Sequence, residues 1–322
     1  MRSPGALNRL TKNDLFAFVT TLNKKGGPDT HEYHSLDECI NSIPAMLTKE
    51  VINLDDIENI KNQCDFLKTD TTVLGHAKLK PFGYPGDYLI IDKIYQKKVS
   101  EKYSNWDQYA MNTAAVGAVR NRKEFFKTLI REKLREHKTV HLLNIASGPA
   151  RDLKEIYDEI DPKRLQTTCV EMDVNAINYA KNLCSNYLSQ IEFINQNIFK
   201  FSSKEKFDLI WSAGLFDYFN DKIFIQFTKR LQSYLNQNGE MVIGNFSRSN
   251  PHRNYMEIFG EWFLNHRNAN ELLELAIRAG VDKGKATVDQ EPLGVNLFLR
   301  VNNQTADALH RQGINSFPPR VS

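Results

Sequence analysis

Apolar and polar residues follow two different rhythms along this chain, and the change falls near residue 138. Before it, helical patterns cover about 11–23, opened by Thr11-Lys12-Asn13-Asp14, about 35–50, opened by Ser35-Leu36-Asp37-Glu38, about 54–68, and about 106–137. Ser35 and Glu38 read as a capping box, in which a hydroxyl and a carboxylate satisfy the first free amides. Between the third and last helices lies Pro81-Phe82-Gly83-Tyr84-Pro85-Gly86-Asp87-Tyr88, whose prolines and glycines predict an ordered turn.

After residue 138, short apolar runs alternate with helical stretches. The runs are 140–146, 167–173, 191–194, 207–211 and 239–244, and the intervening helical patterns cover 150–160, 174–188 and 221–235. Strands separated by helices of this length predict right-handed crossovers and a mainly parallel sheet. The fold class expected is therefore α/β, a doubly wound mainly parallel sheet with an N-terminal helical domain. The domains expected are 1–138, a helical lid, 139–301, the sheet domain, and 302–322, a flexible tail carrying Pro318-Pro319.

Composition narrows the partners. The 322 residues include 42 basic and 39 acidic side chains, a net +3, too little to hold nucleic acid through overall charge. Cys39, Cys64, Cys169 and Cys184 form no CxxC or Cys/His pattern, so free thiols and no metal site are expected. No apolar run reaches the length of a membrane span, and Met1-Arg2-Ser3-Pro4-Gly5 is followed by no apolar signal segment. A cytoplasmic location is expected, and the sequence leaves the oligomeric state open.

In an open α/β sheet, ligands bind at the carboxyl ends of the strands, so chemistry is sought just after each run. The first run ends in Ala146-Ser147-Gly148-Pro149-Ala150, a small-residue turn that lets backbone amides approach a ligand. Glu171 ends the second run, 23 residues beyond Gly148, near the spacing at which a carboxylate accepts hydrogen bonds from a ribose diol. Asp173 fits equally well as the N-cap of the following helix. Turn and carboxylate together favour a nucleoside ligand.

These residues resemble a family. Leu143-Asn144-Ile145-Ala146-Ser147-Gly148-Pro149-Ala150 is similar to the first motif of class I S-adenosylmethionine-dependent methyltransferases. Val170-Glu171-Met172-Asp173 resembles the second, Asn195-Gln196-Asn197-Ile198-Phe199 the third, and Phe207-Asp208-Leu209-Ile210-Trp211-Ser212-Ala213-Gly214 the fourth. The resemblance covers about 139–300 and implies S-adenosyl-L-methionine as cofactor. It places Ala146, Ser147, Gly148, Pro149 and Ala150 against the methionine part, Glu171 on the ribose and Met172 on the adenine. Asn197 and Ile198 would flank the adenine, and Ser212, Ala213 and Gly214 would line the wall beside the sulfonium. Ala146 and Ala150 stand where the family usually has glycine, so the turn is expected to avoid positive φ or to hold the cofactor farther out. The segments 81–88, 144–149 and 213–218 resemble a bacterial subgroup that includes enzymes proposed to form 3-hydroxy fatty acid methyl esters.

The acceptor expected is a small molecule, with O-methylation of the carboxylate of a (hydroxy) fatty acid as the leading case. A carboxylate is already an anion at neutral pH and needs no base, and no catalytic residue is assigned. Candidates for acceptor contact are Tyr84, Asp87 and Tyr88 in the turn, Arg120 on the long helix, and His252 and Tyr255 after the last run. Asp87 also fits as a helix cap, Arg122 accompanies Arg120 as a carboxylate clamp, and the aromatic run 255–263 fits a core as well as a greasy tunnel. Two alternatives stand beside this reading: an NAD(P)-dependent oxidoreductase, against which the turn lacks GxGxxG, and an RNA-directed methyltransferase using the helix 120–138, with eight basic and three acidic residues.

Overall fold

The computed structural model describes residues 11–303, so the tail expected at 302–322 lies almost wholly outside the described residues. Seven helices come first: α1 Lys12–Lys24, α2 Tyr33–Thr48, α3 Leu54–Gln63, α4 Val73–Leu79, α5 Tyr88–Tyr95, α6 Ser104–Asn112 and α7 Ala114–Glu136. The remainder alternates: β1 Val140–Ile145, α8 Arg151–Glu159, β2 Leu165–Glu171, α9 Val174–Leu183, β3 Ile191–Asn195, β4 Phe207–Ser212, α10 Asp221–Gln232, β5 Leu235–Phe246, α11 Ala269–Arg278, β6 Ala286–Gln290 and β7 Asn296–Asn302. The strand order is 3-2-1-4-5-7-6. Strands β1 to β5 pair in parallel, whereas β7 runs antiparallel to both neighbours.

The expected long helix over 106–137 is two helices. Thr113 is extended (φ −63°, ψ 145°) and its hydroxyl accepts the Val116 N–H, which ends α6 and starts α7. Helix α4 carries no amphipathic signal because Val73 to Ala77 are all buried. The capping box falls six residues earlier than Ser35 and Glu38, at Asp29 and Glu32, because the chain is already helical from Tyr33.

Three apolar clusters hold these layers. One lies within the helices, and the other two cover the two faces of the sheet. Helix α7 belongs to both kinds: Ala115, Val116, Ala118 and Val119 pack in the helical cluster, while Phe126, Leu129, Ile130 and Leu134 pack on the sheet. The segment after β5 returns to the helices through Tyr255, Met256, Phe259 and Trp262. The helical layer is thus held against the sheet from both directions, at its carboxyl edge.

Candidate active site

A cavity of about 730 Å³ opens where the ends of β1, β2 and β4 meet the helical layer. Its sheet side is Ala146 to Pro149, Glu171 to Val174 and Ala213 to Leu215. The opposite side is apolar and aromatic: Phe82 and Tyr84 from the turn before α5, Tyr88, Ile91, Tyr95 and Val119 from the helices, Phe246 at the end of β5, and Trp262 and Leu264 from the chain after it.

The turn after β1 departs from expectation. Ala146 and Ala150 both take positive φ, 53° each, and Gly148 lies between them at 54°. Left-handed backbone costs an alanine about 1–2 kcal/mol, and backbone hydrogen bonds offset it. The Ala146 N–H donates to the Val170 carbonyl (2.9 Å) and the Ala150 N–H to the Ser147 carbonyl (3.2 Å). A Cβ added at Gly148 would meet nothing within 4 Å, so the bare backbone faces open cavity.

Glu171 closes this turn from β2. Its Oε2 accepts the Gly148 N–H at 3.1 Å, and its Oε1 accepts the N–H groups of Met172 and Asp173 at 2.8 and 3.0 Å. Burial raises its pKa, and the three amide bonds work the other way. Beside it, Met172 is 65% exposed on the rim. Asp173 caps α9 through the Asn175 N–H (2.8 Å) and accepts the Tyr84 hydroxyl at 3.2 Å, so the 81–88 turn is tied to the end of β2.

Residues 136–290 match the methyltransferase domain family. The chain carries an S-adenosylmethionine-dependent methyltransferase domain. No curated protein matches. A solved structure of a possible exported protein from Bordetella parapertussis is similar over 95% of this chain and 100% of its own, with 14% identity and a TM-score of 0.61. Magnesium protoporphyrin IX methyltransferase from Synechocystis, with bound S-adenosylhomocysteine, shares 8% identity over 59% of this chain and 87% of its own, TM-score 0.47. N-methyltransferase NodS from Bradyrhizobium japonicum, also with S-adenosylhomocysteine, shares 15% over 67% and 97%, TM-score 0.44. The first of these extends the likeness in fold to the helical layer.

The protein is therefore an S-adenosylmethionine-dependent methyltransferase, and the oxidoreductase alternative is not favoured. Antiparallel β7 between β5 and β6 also departs from the strand order of dinucleotide folds. The site fits the cofactor on two physical grounds: bare backbone faces the cavity at Gly148, and the buried Asn144 Nδ2 on its wall finds no acceptor among the described residues.

The methyltransferase brings together many, but not all, of the side chains singled out by sequence. Ala146, Ser147, Gly148, Pro149, Glu171, Met172, Ala213, Gly214, Tyr84 and Tyr88 line the cavity. Ser212 is fully buried behind that wall. Asn197 is exposed, with its Oδ1 capping the Phe199 N–H (2.9 Å), and Ile198 packs in a sheet-face cluster; neither lines the cavity. Asp87 is fully buried behind the wall, where it caps α5 through Leu89 and Ile90 and holds His76 Nε2 at 2.7 Å.

Three acceptor candidates lie away from the cavity. Arg120 of α7 donates to the Met111 carbonyl at the end of α6 (2.8 Å). His252 accepts the Ala114 N–H on Nδ1 (3.1 Å), which anchors the start of α7. Tyr255 stacks edge-on to Tyr109, with ring centres 4.9 Å apart, inside the helical core. The basic side chains invoked for RNA are engaged internally: Lys123 and Lys127 with Glu155, Lys127 and Arg131 with Glu159, and Lys133 with buried Glu240.

The sequence reading did not assemble one polar group. Arg122 of α7, Asp152 of α8 and Asp217 after β4 all line the cavity and are all buried. Arg122 Nη1 donates to the Ala213 carbonyl at 3.3 Å, while its Nε finds no acceptor among the described residues. Burial opposes its charge, but Tyr95, Asp217 and Asp152 outweigh that and keep the guanidinium ionised. Burial pushes each aspartate up to about 6, against the pull of its backbone hydrogen bond and of Arg122. In the sequence, Arg122 stood beside Arg120 as a carboxylate clamp within a basic run that also fits a solvated helix face.

Proposed function

We propose that this methyltransferase esterifies the carboxylate of a small acid with an apolar body, the leading case being a (hydroxy) fatty acid. One observation carries the proposal: a buried guanidinium with an unpaired Nε stands on the cavity wall between the bare turn and the aromatic end. A planar guanidinium fork suits a carboxylate, and an ion buried this deeply calls for a partner. The facing Ile91, Val119, Phe246, Trp262 and Leu264 suit a hydrocarbon chain.

When bound, S-adenosylmethionine supplies an electrophilic methyl on sulfur. The chain's own task is to align and dry the reactants. The 146–149 turn and the 213–215 wall would hold the methionine part, Glu171 the ribose hydroxyls, and exposed Met172 the adenine face. Asn197 and Ile198 retain a role only at the outer edge of the adenine. Arg122 would orient the acceptor carboxylate, which as an anion needs no general base. Holding the reacting atoms about 3–3.5 Å apart can lower the barrier by several kcal/mol.

The test is mass spectrometry of the purified protein incubated with methyl-labelled cofactor and matched fatty acids, alcohols and amines. Methyl ester from the acids alone is expected. Label on the alcohols or amines and not on the acids rejects the proposal.

A further inference from the structure

The turn 81–88 is strung between two ends of the cavity. At its base Asp87 caps α5 and holds His76 Nε2 at 2.7 Å. At Gly86 it abuts the wall beyond β4, where an added Cβ would come within 2.7 Å of the Tyr218 hydroxyl and 2.8 Å of the Trp262 ring. Two residues earlier the chain reaches the end of β2, where Tyr84 Oη donates to Asp173 Oδ2 at 3.2 Å, across 89 residues of sequence. The sequence alone places Tyr84 among the acceptor contacts. The structure sets it beside Asp173 and Glu171, on the stretch of cavity wall proposed for the ribose.

A phenol has one proton to donate and two lone pairs with which to accept. The proton of Tyr84 is committed to Asp173, so toward the cavity that it lines this oxygen can only accept. Burial raises the pKa of the phenol and the carboxylates of Glu171, Asp173 and Asp87 raise it further, which keeps that polarity fixed. The neighbouring acceptor is nearly full. Glu171 takes three backbone N–H groups, two on Oε1 and one on Oε2, out of about four lone-pair positions on a carboxylate. A ribose diol brings two O–H donors, so one position on Glu171 leaves the second hydroxyl in need of another acceptor.

We propose that Tyr84 is a cofactor-binding residue supplied by the helical layer, its hydroxyl accepting one ribose O–H of S-adenosylmethionine while Glu171 accepts the other. The inference rests on the placement of the ribose at Glu171. The nucleoside site is then completed from outside the sheet domain, by the same turn that touches the Trp262 wall at Gly86.

The experiment is calorimetry on wild type, Tyr84→Phe and Glu171→Gln, each with S-adenosylhomocysteine and with its 2′-deoxy and 3′-deoxy analogues. Phenylalanine keeps the ring and removes the acceptor. Tyr84→Phe is expected to weaken S-adenosylhomocysteine about fivefold to tenfold, the worth of one neutral hydrogen bond. For one of the two analogues the loss should shrink to below about twofold, because a partner already absent cannot be lost again. Glu171→Gln should show the same coupling to the other hydroxyl. Unaltered affinity in Tyr84→Phe overturns the inference. So does an equal loss with all three ligands, which is what a purely structural Tyr84–Asp173 bond would give, and so does coupling of both variants to the same hydroxyl. If Glu171 couples to one hydroxyl and Tyr84 to neither, this inference alone falls; if Glu171 couples to neither, the ribose placement falls and this inference with it.

Discussion

Glu171→Gln separates the turn-holding task that the geometry gives this side chain from the ribose-binding task proposed for it. Both carboxylate oxygens are occupied by backbone amides: Gly148 on one, Met172 and Asp173 on the other. Glutamine has one oxygen. If it serves Met172 and Asp173, its NH₂ meets the Gly148 N–H, donor against donor, and leaves that amide unpaired. A buried unpaired amide costs about 1–3 kcal/mol, and because the cavity admits water beside Gly148 the lower end applies to the free protein. Tm should fall by only a few degrees. With cofactor present, the ribose diol also loses a charge-assisted acceptor, worth about 1.5–3 kcal/mol.

The expected outcome is a loss in S-adenosylhomocysteine affinity of about tenfold to a hundredfold by calorimetry, at 1.4 kcal/mol per factor of ten. A stability loss with unaltered affinity would reduce Glu171 to a strut for the turn. No change in either quantity would refute the hydrogen-bond geometry itself.

Three further outcomes follow. Ala150→Gly should leave stability within about 0.5 kcal/mol and leave S-adenosylhomocysteine affinity unaltered, since relief at φ 53° is offset by greater freedom of the unfolded chain; a gain above 1 kcal/mol in urea denaturation would show a strained turn. Buried Asp92 joins α5 to the sheet domain by pairing with Arg151 and accepting the Tyr179 hydroxyl (2.5 Å), so Asp92→Ala should cost about 3–5 kcal/mol and speed amide exchange in α5, and unaltered exchange would refute the clamp. Asp217 is pushed from 3.8 to about 6 in the fold, so its protonation favours folding below 3.8 and that contribution fades as pH rises through about 6. The stability of wild type relative to Asp217→Asn should therefore drop by about 1 kcal/mol between pH 5 and pH 7, and a flat difference would refute the burial argument.

The sheet was legible because its signals are local. Each parallel strand is a short apolar run, each crossover helix follows at once, and the ligand turn must lie at a strand end. The same logic located Gly148 and Glu171, which now share a hydrogen bond. The positive φ of Ala146 and Ala150 was not legible. Alanine pays a penalty there, and at Ala146 what offsets it is a backbone bond to Val170, 24 residues away in sequence. Helix α4 was missed for a related reason, since full burial erases the periodicity from which helices are read.

The polar group proposed for the acceptor side was least legible because no single segment builds it. Arg122, Asp152 and Asp217 are supplied by α7, the start of α8 and the turn after β4, and each alone has an ordinary explanation. What unites them is α7, whose first half belongs to the helical core and whose second half lies on the sheet. Arg122 occupies the crossover between those halves, so its guanidinium reaches the end of β4 and touches the backbone at Gly214, where an added Cβ would approach Nη1 to 2.9 Å. Glycine at 214 is thus a steric condition for seating Arg122, and seating Arg122 is in turn what brings a positive charge between two buried carboxylates. The residue that the family resemblance read as cofactor wall is equally a mould for the arginine proposed to hold the acceptor, a contact between distant segments that no motif encodes.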